Sequence, residues 1–339
     1  MPGKVSVIIV NYNSSRFLEK CLTELRKTEY AGGLETFVVN NSPGDGCEAL
    51  LAEKFPEVTL LSPGKNLGFG PANNVGFEAA TGDYHLILNP DAYPPPTAIA
   101  ECVAYLEAND HVGLVGPRFI NDDGELQPSA RMFPTLFDKF FMLSGLQFKY
   151  QKSRIFGRMD HTWWDHSHPK KTDWVVGAFM LIKADINKKL GGFDPIFFLY
   201  FEEWDLCKRV VKEAGKEVHI LPQVQVQHTA GGSSSDADEG ERVGKQLTLL
   251  RLFGECLYYY KWWGKLGPFT MLGIERLWFY LRWLKNRRDQ SEEGQRKSDA
   301  MAMHLRQIKV SLKVTHYGKQ VPDHPWIPNL GKYESGEAK

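Results

Sequence analysis

The chain carries no net charge: 41 basic residues balance 41 acidic ones over 339 positions. That balance gives no global attraction to nucleic acid. Cysteine is scarce and odd in number. Cys21, Cys47, Cys102, Cys207 and Cys256 are scattered, and none forms a C-x-x-C pair. Neither a disulfide framework nor a cysteine zinc site is expected; reduced thiols in a cytoplasmic protein are. Long apolar runs are also missing, so nothing approaches the ~20 uncharged residues that a bilayer-spanning helix needs. The stretch Val5–Val10 is too short for a signal-peptide core and has no small-residue cleavage site after it. It reads as a buried first strand. There is no internal repeat.

What is present is ordinary for a folded protein, with 42% hydrophobic and 24% charged residues. The length suits one large domain, or one domain with appendages. Over the first third, short apolar strands alternate with helices. Strands are expected at 5–10, 35–39, 58–61, 85–88 and 112–115, and helices at about 15–27, 48–54, 68–80 and 97–108. Phe17, Leu18, Cys21, Leu22 and Leu25 share one helix face, with Ser14 or Ser15 as its cap. That alternation implies an α/β protein with a mostly parallel sheet covered by helices on both faces. From Phe133 to Lys171 the pattern breaks into an irregular aromatic stretch, of a length that is usually functional. Order returns at 174–183, followed by a helix, the turn 191–195, a helix from about 203 to 214 and two closing strands at 217–221 and 224–228. Beyond the soft stretch 230–240, residues 245–288 mix Leu, Phe, Tyr and Trp with Lys and Arg. The last fifty positions read as a polar, loosely packed tail.

Chemistry concentrates in a few places. In Phe197–Cys207, five apolar or aromatic residues lead into Glu202, Glu203 and Asp205. A carboxylate beside apolar walls is a poised base, because desolvation raises its pKa toward working pH. Leu86-Ile87-Leu88-Asn89-Pro90-Asp91 is an apolar strand ending in a carboxylate, the place where open α/β sheets bind ligands and metals; Asn-Pro-Asp is equally a good turn. Asn66–Gly76 opens a helix after a strand, so its N–H groups can face a phosphate. Its Gly68-x-Gly70 is a near miss of the dinucleotide fingerprint, with Asn73 in place of the third glycine. Tyr12 and Asn13 follow the first strand and Asn40 ends the second; Tyr12 can stack on a nucleobase while Asn40 reads its edge. His228 ends a strand just before Gly231-Gly232-Ser233-Ser234-Ser235. It suits a metal site, with the serines and glycines around a phosphate, or a structural role. His161, Asp165, His166 and His168 fit no standard zinc spacing and read as an acceptor-facing loop beside Trp163 and Trp164.

Taken in order, these residues resemble the family 2 glycosyltransferases with a GT-A fold, especially the bacterial rhamnosyltransferase branch. The resemblance spans Val5 to about Ser235. Its most specific parts are N-x-G-F-x-x-x-N-N-x-G at 66–76, Leu88-Asn89-Pro90-Asp91, and Gly191-Gly192-Phe193-Asp194 followed by Phe198–Leu206. It implies a nucleotide-sugar donor, a divalent cation (Mg²⁺ or Mn²⁺) and inversion at the anomeric carbon. By this resemblance Asp91 matches the metal-binding aspartate of a D-x-D-like element, and His228 matches the histidine of H-x-x-G-x-S. Tyr12 and Asn40 match base-contacting positions; Asn13, Asn66, Gly68, Asn73 and Asn89 complete the donor-binding set. Glu203 aligns with the catalytic base, beside Glu202. Three positions depart from the family. Asn89 replaces the first D-x-D carboxylate, Asn40 stands where aspartate is usual, and Glu202-Glu203 replaces Glu-Asp, which leaves open which glutamate is the base.

The organisation expected is a GT-A-like domain over 1–240, an amphipathic, membrane-associating helical extension over 241–290 and a polar tail over 291–339. Nine basic residues face three acidic ones between Lys245 and Asp289, which suits an interfacial anchor at an anionic leaflet; packing on the catalytic domain or a second subunit would explain the same pattern. The expected activity is metal-dependent, inverting transfer of L-rhamnose from dTDP-L-rhamnose to a polysaccharide or lipid-linked glycan at the inner face of the cell membrane, with homo-oligomerisation open. A UDP-hexose or UDP-furanose donor is the alternative. From other classes, a nicotinamide-dependent oxidoreductase would bind reduced nicotinamide without metal, and a non-catalytic glycan-binding module would bind glycan without turnover.

Overall fold

Apolar runs of five to seven residues build the centre. β1 (Val5–Asn11) and β4 (Tyr84–Leu88) are buried along their whole length, as strands covered on both faces must be. The computed structural model describes residues 2–229 and 240–322, with the backbone alone for 240–245. After β1 come α1 (Ser15–Leu25), β2 (Leu34–Asn40), α2 (Cys47–Lys54), β3 (Thr59–Leu61) and α3 (Phe69–Ala79). β4 is followed by β5 (Ala92–Tyr93), α4 (Ala98–Ala108), β6 (Val112–Ile120), β7 (Leu126–Gln127), β8 (Ala130–Arg131), α5 (Leu136–Ser144) and α6 (Leu146–Lys149). Then come β9 (Lys170–Thr172), β10 (Trp174–Val175), β11 (Phe179–Lys183), α7 (Ala184–Leu190), α8 (Glu202–Lys212) and β12 (Glu217–His228). Three helices follow: α9 (Gly240–Trp263), α10 (Leu266–Asn286) and α11 (Glu292–Val314).

The main sheet has the order β3-β2-β1-β4-β11-β6-β12-β5, with β7 and β9 at its margins. β1, β2, β3 and β4 run parallel, as do β6 and β12. β11 is inserted antiparallel between β4 and β6. The fold is therefore α/β and mostly parallel, as the resemblance implies. Ala92 pairs with His228 across the antiparallel β5–β12 contact, which sets the site described below.

The chain divides into two compact units. One is Met1–Phe133, Arg158–Pro195 and Glu202–Ser235; the other is Pro134–Gly157, Ile196–Phe201 and Asp236–Lys339. The first holds the sheet and its flanking helices. In the second, Leu249, Leu250 and Phe253 of α9 pack with Phe198, Leu199 and Tyr200. Leu252, Cys256, Leu272 and Ile308 form a further cluster across α9, α10 and α11.

Three sequence expectations are corrected here and one is made finer. The 133–171 stretch is not one irregular loop: its first part folds as α5 and α6 within the second unit. The ordered stretch expected at 174–183 holds two strands, β10 and β11. The two closing strands are one, β12, with a register irregularity between Leu221 and Gln225; Pro222 stands there and has no N–H to give the ladder. The polar tail contains α11, whose Gln307, Ile308 and Ser311 are buried. Among the described residues, no helix is long and apolar enough to cross a membrane.

Candidate active site

The site is assembled at the carboxyl ends of the central strands. Asp91 follows β4 and precedes β5, and the β5–β12 pairing carries it to His228. The His228 Nε2 lies 3.5 Å from the Asp91 Oδ1, and both side chains are mostly buried. Gln127 of β7 holds the imidazole. Its Oε1 lies 3.0 Å from His228 Nδ1, and its Nε2 donates to the His228 carbonyl at 2.9 Å. The second bond fixes the amide's orientation, so an acceptor oxygen faces Nδ1. Nδ1 of the neutral ring therefore carries the proton, and Nε2 presents its lone pair toward Asp91. Asn89, two residues before Asp91, has a buried Oδ1 with no hydrogen-bond partner. A carboxylate, an oriented imidazole nitrogen and an unmatched amide oxygen form a donor set that fits Mg²⁺ or Mn²⁺.

The carboxylate pair opens α8. Glu202, Glu203 and Asp205 occupy its first turn, where the helix N-terminus favours negative charge. Burial opposes this. Glu202 is 4% exposed, and Oε2 of each glutamate is buried without a hydrogen-bond partner. Burial pushes the Glu203 carboxyl up to about 7. Burial, and then the adjacent Glu203 charge, push Glu202 well above the ordinary range. Two such carboxyls side by side retain a proton near neutrality. Glu203 is the half-buried member and so the more accessible one. The chain enters α8 through Tyr200 (φ 69°) and Phe201 (φ 72°), two successive left-handed residues that are not glycine, a conformation that costs of order 1–3 kcal/mol each.

The two halves meet at one backbone step. Ala178 accepts the Asn89 N–H at 2.9 Å, while a Cβ on Gly177 would sit 3.8 Å from the Glu203 Cβ and 3.5 Å from the Phe69 ring. Behind them, Asn74 grips the Gly191-Gly192-Phe193 turn: its Nδ2 donates to the Phe193 carbonyl at 2.8 Å, and its Oδ1 accepts the Phe193 N–H at 2.9 Å. Arg209 binds Asp205 and the carbonyls of Leu190 and Gly192, tying α8 to the same turn.

At the ends of β1 and β2, Asn11 and Asn40 are paired in register and fully buried. Asn11 Nδ2 donates to Asp45 Oδ2 at 2.7 Å and to Asn40 Oδ1 at 3.2 Å, and Asn40 Nδ2 donates to Glu48 at 2.7 Å. Asn13 adopts φ 49°, with its N–H on the Ser42 hydroxyl; Tyr12 is half-buried beside it. Ser14 does not cap α1 with its side chain; its hydroxyl donates to Asn11 Oδ1 at 2.9 Å. The carboxylates Asp45 and Glu48 were not singled out from sequence, where 40–46 read only as a turn. In the Asn66–Gly76 stretch the polar groups bind one another. Asn66 Oδ1 takes the Gly68 N–H, Asn41 takes the Leu67 N–H and the Gly68 carbonyl, and Asn73 Nδ2 reaches the Phe69 carbonyl. These contacts shape the turn and leave neither of those N–H groups for a phosphate.

Two groups lie apart. The His161–His168 stretch, expected to face the acceptor, exposes only part of its cluster, Asp165 and His168. His161, His166 and Trp164 are buried, Trp164 joins a core cluster with Ala130 and Ile220, and burial lowers His161 and His166 to about 4. His111, Glu217 and His219 bring potential ligand atoms within 4.8 Å of one another at the opposite end of β12, where Tyr105 and Lys171 already bond His219 and Glu217. Ala230–Ser235, expected around a phosphate, lie outside the described residues.

This architecture has known counterparts. A solved mannosyltransferase, PcManGT from Pyrobaculum calidifontis in complex with GDP-Man and Mn²⁺, superposes with a TM-score of 0.53 at 16% identity, over 92% of this chain and 88% of that one. The N-acetylglucosaminyl-diphospho-decaprenol L-rhamnosyltransferase of Mycobacterium tuberculosis is 25% identical over 256 residues, 70% of this chain and 80% of that protein. Rhamnosyltransferase WbbL of Escherichia coli is 26% identical over 236 residues, 67% of this chain and 83% of that protein. The family model for glycosyl transferase family 2 matches residues 6–200, more than half the chain and nearly all of the strand-end turns described above. Those turns, the sheet that carries them and the family match agree, and the chain belongs to glycosyl transferase family 2 as a glycosyltransferase.

Proposed function

We propose that the protein transfers a sugar with inversion from a nucleoside-diphosphate donor, most readily L-rhamnose from dTDP-L-rhamnose, to a glycan or lipid-linked glycan. The observation that carries the reading is the pair of opposed groups at one sheet end: a buried carboxylate beside an oriented imidazole, and a carboxyl raised to about 7 at the start of α8. Asp91 and His228, with Asn89 beside them, would hold Mg²⁺ or Mn²⁺, which neutralises charge on the diphosphate. Tyr12 and Asn13 face the nucleobase, with Asn40, buried and bonded to Asn11 and Glu48, supporting them from behind together with Asp45. Asn66, Gly68 and Asn73 act through the turn they build.

Glu203 removes the proton of the acceptor hydroxyl. The hydroxyl oxygen bonds to the anomeric carbon from one face as the carbon–oxygen bond to the diphosphate breaks on the other, and the nucleoside diphosphate leaves with that electron pair. Glu202, raised well above the ordinary range and almost wholly buried, keeps its proton. The donor preference rests on the two rhamnosyltransferase relatives. UDP-hexoses and UDP-furanoses remain the second choice, and family membership removes the oxidoreductase reading. A thermal-shift screen of nucleotide sugars with and without Mn²⁺ tests the assignment, because ligands of the folded state raise its melting point. A metal-dependent rise with dTDP-L-rhamnose, followed by turnover, is expected. A rise only with UDP-sugars would replace the donor, and full turnover in excess chelator would remove the metal.

A further inference from the structure

Exposed apolar side chains are unevenly distributed. Of the fifteen large ones among the described residues, fourteen belong to the second unit and only Leu126 to the first. Within the second unit they follow a helical period. On α10, Leu266, Phe269, Leu277, Tyr280 and Leu281 are exposed along one stripe, while Met271, Leu272 and Glu275 are buried on the other side. Gly273 lies on the same stripe, and a Cβ there would meet nothing within 4 Å. The stripe continues on α5, where Phe137 is 74% exposed and Phe140 meets Trp278 of α10 edge-on, with ring centroids 6.1 Å apart. Phe148 of α6 and Ile155 after it are exposed in the same unit.

The two segments that carry this surface expose charges of one sign, and the exposed acidic residues Asp289, Glu292 and Glu293 come only after α10 has ended. In segments 134–157 and 261–288 the only acidic residues are Asp138 and Glu275, and both are buried. Every exposed charge there is basic: Lys149, Lys152 and Arg154 on one segment, and seven Lys and Arg from Lys261 to Arg288 on the other. α9, which the sequence also assigned to an anchor, is the packed core of the unit, with Leu249, Leu250, Leu252, Phe253 and Tyr258 buried.

We propose that the α10 stripe and the exposed aromatics of α5 and α6 form a docking face for an anionic lipid bilayer. Apolar side chains would enter the headgroup–acyl boundary, and the flanking Lys and Arg would meet lipid phosphates. A second copy of the chain is the competing occupant, but segments whose exposed charges are all positive repel their own image. The inference stands on this surface and not on the sugar or the metal.

The test is co-sedimentation of the full-length protein with phosphatidylcholine vesicles, with and without a third of phosphatidylglycerol. Salt-sensitive binding to the anionic vesicles alone is expected. Phe269→Glu with Leu277→Glu, and separately Arg276, Arg282 and Lys285 all to Gln, should each lower the bound fraction roughly tenfold or more. All these side chains are exposed, so the melting point and turnover of a water-soluble acceptor should be unchanged in the same samples. Indifference to both vesicle types would overturn the proposal. So would binding that neither variant weakens, or sedimentation velocity showing a dimer that Phe269→Glu dissociates.

Discussion

At the scale of single residues, the carboxyl pair makes the sharpest statement. Glu203→Gln preserves shape but cannot accept a proton, so kcat should fall roughly 10²–10⁴-fold with donor affinity nearly unchanged. A base raised to about 7 must lose its proton to act, so wild-type activity should climb as pH rises through that value. Normal turnover by Glu203→Gln and loss in Glu202→Gln would move the base by one position. Stability has the opposite slope. The folded chain holds a proton that the unfolded chain, with an ordinary value of 4.5, has released; this contribution is complete below the unfolded value and fades as pH rises through about 7. Glu203→Gln should flatten that decline in melting point between pH 5 and 8. A second residue-level prediction concerns Gln127. Gln127→Ala releases the His228 ring, and calorimetry should show nucleotide-dependent Mn²⁺ affinity falling about 10–100-fold, as for other groups that orient a metal ligand. Gln127→Glu can still accept from Nδ1 and should recover much of it; equal affinity in Gln127→Ala would remove the positioning role. Using nucleotide-dependent binding separates this site from the His111, Glu217 and His219 trio. Asp91 could be read from sequence because a fully apolar strand ended in a carboxylate. Gln127 could not, because its partner is 101 positions away and its strand is two residues long.

At the scale of elements, two contacts carry more than their size suggests. Asn74 makes a reciprocal pair of bonds across 119 positions, joining α3 to the turn before α8. Gly192 has φ +71°, and a Cβ on it would lie 2.4 Å from the Asn74 Oδ1. Asn74→Ala should cost about 1–3 kcal/mol in chemical denaturation. Gly192→Ala should cost a similar amount through strain, and the double variant less than the sum, since both break one junction. Strict additivity would show that the two act separately. In the second unit, Lys139 of α5 is buried against Glu255 at 2.6 Å and against Glu275, which also binds Arg251 and His304. Burial alone would raise Glu275; Lys139, His304 and Arg251 outweigh it and hold the carboxyl well below the ordinary range. Lys139→Ala leaves carboxylates buried with fewer partners and should cost about 3–5 kcal/mol. Helix and strand periods made α1, α4 and the early strands legible. They gave no hint that β11 turns antiparallel between β4 and β6, because a fully buried strand reads the same in either direction.

At the scale of the whole molecule, zero net charge conceals an uneven distribution: among the described residues, fourteen of the fifteen exposed large apolar side chains lie in one unit, beside a group of exposed Lys and Arg. That unit is not contiguous: 134–157 and 196–201 belong with the C-terminal helices. A chain ending at residue 239 would keep both segments without α9, α10 and α11, stripping Phe140 of Trp278 and Phe198 and Leu199 of their α9 partners. Such a truncation should bind a hydrophobic dye strongly and aggregate; a well-behaved monomer would show that these segments need no helical partner. The break in pattern at Phe133 is visible in the sequence, but its partners are not, because the contacts that join 134–157 and 196–201 to the C-terminal helices are long-range. The interleaving also bears on how such enzymes diversify. Recombination with a single crossover after β12 would pair one parent's helices with the other parent's α5 and 196–201, mismatching the ion cluster and its packing together. Hybrids that keep this packing must exchange three stretches at once, so the two units are expected to be inherited as a set and to drift by substitution more readily than by shuffling.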